Sequence, residues 1–577
     1  MDAFLNVTQS LTNRRWIGPD AGQRRLAEAM AQLTHLPLAL CQTLTARGVT
    51  AEDAALFLTP ALRDLLPDPL TLKDMAKAAD RLCHAVQTRQ RIAIFADYDV
   101  DGGSSAALLM IWLRHFGLTP TLYIPDRIDE GYGPNIPAMT ALGAGHDLIL
   151  CVDCGTLSHD PVAAAKCDVV ILDHHLGIET LPRAHAIVNP NRQDETGDLA
   201  HLCAASVVFL LLVEANRRLR GSGALPDLMG LLDLVALATV ADVAPLIGVN
   251  RAFVRQGLKV MARRERIGLR ALSDIARLDQ APSPYALGFV LGPRINAGGR
   301  IGQADLGARL LATDNLAEAT QLAGRLDALN TERREIEAAV REAALAQVDS
   351  HPTTALAWAA EDGWHPGVVG IVAARVKEAT HRPAVVIGFD GDIGKGSARS
   401  VSGVDLGAAI QRLAAEGLIE KGGGHKMAAG LTLTRAQLLP AMARLDALLA
   451  RQGAGTEGPG DLAITALLMP TAATPELITE IDQAGPFGAG APGPRFAFAA
   501  QRLTARRLAD KHLKLTFGET EGARIEAMLF NAFDTPLGAA LETPGHKPFH
   551  LAGRLELNHW NGKSRPQLRL EDAAAAE

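Results

Sequence analysis

The chain has 577 residues, of which 48% are hydrophobic and 21% charged, and a formal net charge of −7. This composition excludes a fibrous, disordered or membrane-embedded protein and predicts a globular chain of about three to four domains. Met1 to Trp16 lacks the apolar core of a secretory signal, and the greasiest stretch, Leu231 to Val249, is interrupted by Asp233 and Asp242, so a cytoplasmic protein without membrane contact is expected.

Residues 1–85 read as a helical segment rich in Ala and Leu. From Arg91 apolar runs alternate with amphipathic stretches. Strands are predicted at Arg91–Ala96, Leu122–Ile124 and near 148–153, 169–173 and 185–188, with a helix over Ser104–Phe116. That alternation predicts α/β architecture, an open parallel sheet with helices on both faces, over a first domain of residues 86–320. Cys203 to about Val348 is mostly helical, and residues 321–350, free of Gly and Pro from Leu326 to Val348, form a long connecting helix. A second, smaller α/β domain (351–452) follows, with strands at Ala355–Ala359 and Ala384–Ile387. The Gly-rich tract 453–460 reads as a linker. Residues 461–572 show short alternating segments at Arg495–Ala499, Leu513–Phe517, Arg524–Phe530, His550–Leu557 and Gln567–Leu570, the spacing of a five-stranded OB-type β-barrel. Ala573–Glu577 is expected to be a disordered tail.

Three predicted strands end in carboxylates or imidazoles: Asp97-Tyr98-Asp99-Val100-Asp101-Gly102, Asp153, and Asp173-His174-His175. In an open parallel sheet that edge is where ligands bind, and so much negative charge in one crevice calls for cations. Asp242, within the apolar Ala238–Val243, needs a partner for the same reason. The predicted ligand set is Asp97, Asp99, Asp153, His174 and Asp242. Hard oxygens with one imidazole suit a pair of Mn²⁺ or Mg²⁺ ions. Asp101 is open between ligand and helix cap. Asp173 is the natural partner to orient an imidazole through its other nitrogen, and His175 is left to meet a phosphate or a second metal. A calcium-binding loop is excluded, because no bidentate Glu stands at its twelfth position. Cys151 and Cys154 form a lone C-x-x-C inside a strand and read as packed thiols. Gly488–Gly493 fits G-x-G-x-x-G without a preceding strand, so a dinucleotide site is rejected.

The order of Asp97-Tyr98-Asp99, Val152-Asp153-Cys154-Gly155, Asp173-His174-His175 and Val240-Ala241-Asp242 resembles the DHH phosphoesterases, and within them the RecJ branch. The likeness continues through Tyr123–Arg127 with Glu130–Gly133, Gly292–Arg300, Gly363–Gly370, Gly396–Ser400 and Gly423-Gly424-His425. It ends in Lys511–Leu515 and Asn558–Gly562 of the predicted barrel. The resemblance implies a single-strand-specific 5′→3′ DNA exonuclease that releases 5′ mononucleotides by two-metal hydrolysis, in recombination and mismatch repair. The metal residues named above with His175 would be catalytic. Arg127, Arg294 and Arg300, with Ser397 and Arg399 on a Gly-flanked turn and His425, would hold DNA phosphates. It further implies a monomer cooperating with a single-strand-binding protein and a helicase. The net charge argues mildly against nucleic acid, but basic clusters at 395–399, 506–514 and 563–569 offset it locally. Two other readings are a phosphodiesterase for short RNA or cyclic dinucleotides, disfavoured by the predicted barrel, and an inactive scaffold, disfavoured by the complete ligand set. Trp560 is open between base stacking and barrel core.

Overall fold

The computed structural model describes residues 3–576 apart from 128, 222, 352, 456–459, 510, 519–522, 534 and 561–562, and excludes the side chain of Trp560. The central part of the Gly-rich linker, Asn561-Gly562 and the Trp560 ring therefore lie outside the described residues. The chain forms two compact units. One comprises Ala61–Ala454 with Gly488–Gly490, the other Met1–Pro60, Gly455–Phe487 and Ala491–Glu577.

In the larger unit the first sheet consists of β1 (Ile92–Ala96), β2 (Thr121–Tyr123), β3 (Leu148–Val152), β4 (Asp168–Leu172) and β5 (Ala186–Val188). The order is β2-β1-β3-β4-β5 and every pair is parallel. The central strands read IAIFA, LILCV and DVVIL and are buried almost throughout, as strands covered on both faces must be. Their register is flush at the carboxyl end: Ala96 pairs with Val152, Val152 with Leu172 and Leu172 with Val188. The residues that follow, Asp97, Asp153 and Asp173, therefore stand in one row.

Helices α1 (Val100–His115) and α2 (Ala204–Arg218) pack on this sheet, and α3 (Leu232–Ala241) and α4 (Gly292–Ile301) pack against α1. The π-helical turn Ala286–Leu291 runs directly into α4. The connecting helix α5 (Leu316–Ser350) has 35 residues, about 50 Å of rod.

The second sheet contains β6 (Ala357–Asp362), β7 (Ala384–Asp390), β8 (Ile393–Arg399), β9 (Lys421–His425) and β10 (Ala428–Thr434) in the order β9-β10-β8-β7-β6. Helix α6 (Pro366–Thr380) packs on it. The segment of Ser397 and Arg399, expected as a turn, is instead the middle strand, paired on both sides. Its glycines mark close approach: a Cβ on Gly396 would stand 2.8 Å from Ile387 and 3.0 Å from Leu431.

In the smaller unit seven strands form one sheet: Ala466–Leu467, Phe496–Gln501, Phe549–Trp560, Lys563–Ala575, Arg524–Leu529, His512–Gly518 and Thr504–Leu508, in that spatial order. Two more strands join than the five expected, one a two-residue edge and one, Thr504–Leu508, without buried residues and so without an apolar pattern. The expected disordered tail is corrected as well. Ala573 pairs with Leu551 and is buried. The first sixty residues, expected to form part of one helical segment, belong here. Trp16–Ile17 pairs in parallel with Leu462–Ala463, and the buried Trp16 indole donates to Asp572 at 2.8 Å. Helices Ala21–Thr34 and Leu38–Thr45 share a buried apolar cluster that Ala484 joins. Among the described residues no helix is long and apolar enough to cross a membrane.

Candidate active site

The predicted metal residues arrive from four separate segments and converge. Asp97 and Asp153 end β1 and β3 and are buried. Asp99 caps α1, one carboxylate oxygen accepting from the Asp101 and Gly102 amides at 2.9 and 3.1 Å, which leaves its other oxygen for a ligand. Asp242 closes α3. His174 Nε2 lies 3.3 Å from Asp153 Oδ1, 3.7 Å from Asp101 Oδ2 and 3.8 Å from Asp242 Oδ2. Three overlapping sets of donor atoms, each within 4.8 Å, could hold a cation: Asp97/Asp99/Asp153, Asp153/His174/His175 and Asp101/His174/Asp242.

Asp101 does not cap its own helix. Its buried carboxylate accepts from the Ala204 and Ala205 amides at 2.7 and 2.8 Å, so it holds the start of α2 while staying beside His174. Asp173 also anchors backbone, accepting from the amides of Thr156, His174 and His175. It takes up His175 Nδ1 at 2.8 Å. His175 Nε2 is 3.2 Å from the Tyr132 hydroxyl.

The electrostatics of the cluster call for positive charge. Burial and then Asp99 push the Asp97 carboxyl well above the usual carboxylate range. Burial with Asp101, Asp99 and Asp97 does the same to Asp153. Asp242 is pushed up to about 9 by burial and by Asp101 and Asp99. Asp97 Oδ1 and Asp153 Oδ1 are buried with no hydrogen-bond partner among the described residues. Divalent cations would supply what these atoms lack, so the donor set fits a hard-metal site. For His175, burial opposes ionisation, but the Asp173 hydrogen bond and charge, with Asp242 and Asp97, raise the imidazole to about 9. Asp173 itself is held low: burial works against this, and the bonds from His175 and Thr156 outweigh it.

Sequence reasoning assigned no role to several supports. The Asn191 side chain donates to the His174 carbonyl at 2.6 Å, and that of Asn189 to the His175 carbonyl at 2.8 Å. Asn296 of α4 accepts from the Val100 amide at 3.0 Å. The Val188-Asn189-Pro190-Asn191 run after a strand was the available signal. Tyr132, in the Glu130–Gly133 motif, also donates to the Asp153 carbonyl at 3.1 Å.

A second feature in the same unit is a cavity of about 390 Å³ whose polar side chains are Arg127, Lys395, Ser397 and Arg399. Gly367, Gly423 and Gly424 expose backbone to it, and among the described residues no carboxylate lines it. Arg399 donates to Ser397 Oγ at 3.0 Å. The Arg127 guanidinium lies over the Tyr98 ring, 5.0 Å from its centre, and so adjoins the Asp97–Asp99 loop. Arg300 is half-buried and donates to the Gly367 carbonyl at 3.2 Å. Burial and the charge of Arg127 hold its pKa below the usual guanidinium value. Two predicted phosphate contacts fall elsewhere. Arg294 is taken up by Asp327 at 2.8 Å and by the Val290 carbonyl. His425 ends β9, exposed, and does not line the cavity.

The chain matches the DHH family N-terminal domain over residues 91–239, the DHHA1 domain over 352–450 and the RecJ OB domain over 464–572. It is 38% identical to the single-stranded-DNA-specific exonuclease RecJ of Dickeya dadantii, across 93% of this chain and 96% of that one. It is similar to crystal structures of RecJ from Thermus thermophilus in complex with Mn²⁺ (TM-score 0.80) and with Mg²⁺ (TM-score 0.75). Both are 30% identical and cover 97% of this chain, and 79% and 78% of their own.

Proposed function

The chain belongs to the RecJ family of DHH phosphoesterases, and from that premise we propose that it is a metal-dependent exonuclease degrading single-stranded DNA 5′→3′ to 5′ mononucleotides. The observation that carries the proposal is the meeting of Asp97, Asp153, His174 and Asp242, from four distant segments, in one buried cluster. We assign Asp97, Asp99 and Asp153 to one Mn²⁺ or Mg²⁺ ion, and Asp153, His174 and Asp242, with Asp101 beside His174, to a second. When bound, such ions neutralise the carboxylates and polarise a phosphodiester for in-line hydrolysis.

The chain's own groups do the rest. His175, kept cationic by Asp173, donates toward the charge that develops on the phosphate. Arg127, Ser397 and Arg399 receive the terminal 5′ phosphate in the basic cavity, and Arg300 holds that cavity's edge through Gly367. Cleavage at the cluster with the end held in the cavity gives the polarity. The proposal extends to a cytoplasmic monomer acting in recombination and mismatch repair beside a single-strand-binding protein and a helicase; family membership is its support.

The test is digestion of single strands labelled at either end, with Mn²⁺ or EDTA and with duplex as control. Label is expected to leave first from the 5′ end of single strands in Mn²⁺ alone. Asp153→Ala should abolish release without altering the thermal midpoint. Release from the 3′ end, or full activity in Asp153→Ala, refutes the assignment.

A further inference from the structure

Gly488-Ala489-Gly490 opens the G-x-G-x-x-G run and belongs to the larger unit. Its glycines serve not a nucleotide but a neighbouring turn. The Ala489 carbonyl accepts from the Leu246 amide at 2.8 Å. A Cβ on Gly488 would stand 2.7 Å from Leu246 Cδ1, and one on Gly490, whose φ is +64°, would stand 2.9 Å from Pro245 Cβ. Glycine alone lets the backbone come this near. On either side of these three residues Arg47 grips the chain, donating to the carbonyls of Ala484, Ala491 and Pro492 at 2.8, 3.2 and 3.1 Å.

Pro245 and Leu246 follow Asp242 on the turn that closes α3. The Val243 and Ala244 amides donate to the Val240 and Thr239 carbonyls at 3.2 and 3.1 Å, the pattern of a helix end whose next residue is left-handed and usually Gly. Here that residue is Val243, at φ +59°, an outlying conformation for a β-branched side chain. Val243 is 69% exposed, so its own packing does not hold the turn. Strain of this kind persists only where the surrounding structure fixes it. The fixing contacts lie at Pro245 and Leu246. The buried Asn250 side chain donates to the Pro245 carbonyl at 3.0 Å and to the His201 carbonyl at 2.8 Å, and Ala489 takes the next amide.

We propose that Gly488–Gly490 is a positioning clamp for Asp242: by holding Pro245 and Leu246 it keeps the strained turn, and so the Asp242 carboxylate, where the second ion is bound. The inference rests on the proposed metal assignment, in which Asp242 serves that ion alone. Asp97 and Asp153 end β1 and β3, and Asp99 caps α1, so the ligands of the first ion are carried by elements outside the clamp. Releasing it therefore weakens one ion and spares the other. An outer support of this sort is worth about 10–100-fold in metal affinity or rate.

The test compares the full chain with Gly490→Ala, whose methyl presses on Pro245, and with Gly493→Ala, whose methyl would meet nothing nearer than 3.5 Å. Hydrogen exchange in EDTA reads the clamp without metal. Gly490→Ala should speed exchange of the Asp242–Leu246 segment about tenfold or more, and Gly493→Ala should leave it unchanged. Titration with Mn²⁺, followed by the EPR signal of the free ion, reads each site in turn. Gly490→Ala should bind one Mn²⁺ as the parent does, which also shows that it is folded, and the second about 10–100-fold more weakly. Gly488→Ala, which presses only on the end of the Leu246 side chain, should cause a loss below about tenfold at that same ion. Parental exchange in Gly490→Ala, parental affinity for both ions, or equal weakening of both in Gly490→Ala and Gly488→Ala alike, overturns the clamp. Because exchange is read without metal or cleavage, failure of the nuclease reading would show separately, in the end-label assay of the parent.

Discussion

Two adjacent glycines at the start of α1 offer a sharp test of how the cluster is held. A methyl added at Gly102 would stand 2.4 Å from the Asp97 carbonyl oxygen and 2.9 Å from its Cα, where ordinary contact begins at 3.4 Å. The Asp97 main chain would have to move by about 1 Å, and a displacement of that size at a reacting centre costs about 100-fold in rate. At Gly103 the nearest atom to an added methyl is the Ala308 nitrogen at 3.5 Å, which is comfortable. There the gain of Ala over Gly in a helix, about 0.8–1 kcal/mol, should appear undiminished. Gly102→Ala is therefore expected to lower kcat/KM for Mn²⁺-dependent release of 5′ label about 100-fold. Gly103→Ala should keep the rate and raise the thermal midpoint. Both variants would be assayed side by side for rate and for melting. Near-parental activity in Gly102→Ala, or an equal loss in Gly103→Ala, would refute the claim that Asp97 is positioned by this contact.

Replacing Asp173 with Asn puts an amide among three backbone donors and His175 Nδ1. The rate should fall about 10–100-fold, and the histidine resonance titrating near 9 should return toward its ordinary range by NMR; a parental rate would mean His175 needs no orienting. Metal binding should release protons. Asp97, Asp153 and Asp242 hold theirs above the usual carboxylate range without cations, and ligation requires the ionised forms. Apparent Mn²⁺ affinity is thus expected to rise with pH and to weaken as pH falls. Calorimetry in buffers of different ionisation enthalpy reads the protons directly, and none released at neutral pH would contradict the ligand set.

The strand-end carboxylates were legible because an apolar run that stops at Asp97 or Asp153 can be read locally as a buried strand delivering charge to a sheet edge. Asp242 was legible for the same reason, as a charge in an otherwise buried stretch. The division of labour between Asp99 and Asp101 was not, since Asp101 is claimed by amides about a hundred residues away, at Ala204 and Ala205. The glycines of β8 suggested a turn by propensity, whereas crowding by Ile387 and Leu431 demands them in a strand. Arg294 lies in the same motif as Arg300, yet Asp327 of α5 decides where its side chain goes. Ala573 and its neighbours carry too little side chain to signal a strand, and the partner Phe549–Leu551 supplies the reason they form one.

The contact between α4 and α6 has no slack: a single methyl at Gly367 would fall 2.3 Å from the Arg300 carbonyl. Cavity and cluster are thus mounted on one stiff frame, like the jaws of a fixed-gap gauge. For an enzyme built this way, the size of each bite is a dimension of the scaffold.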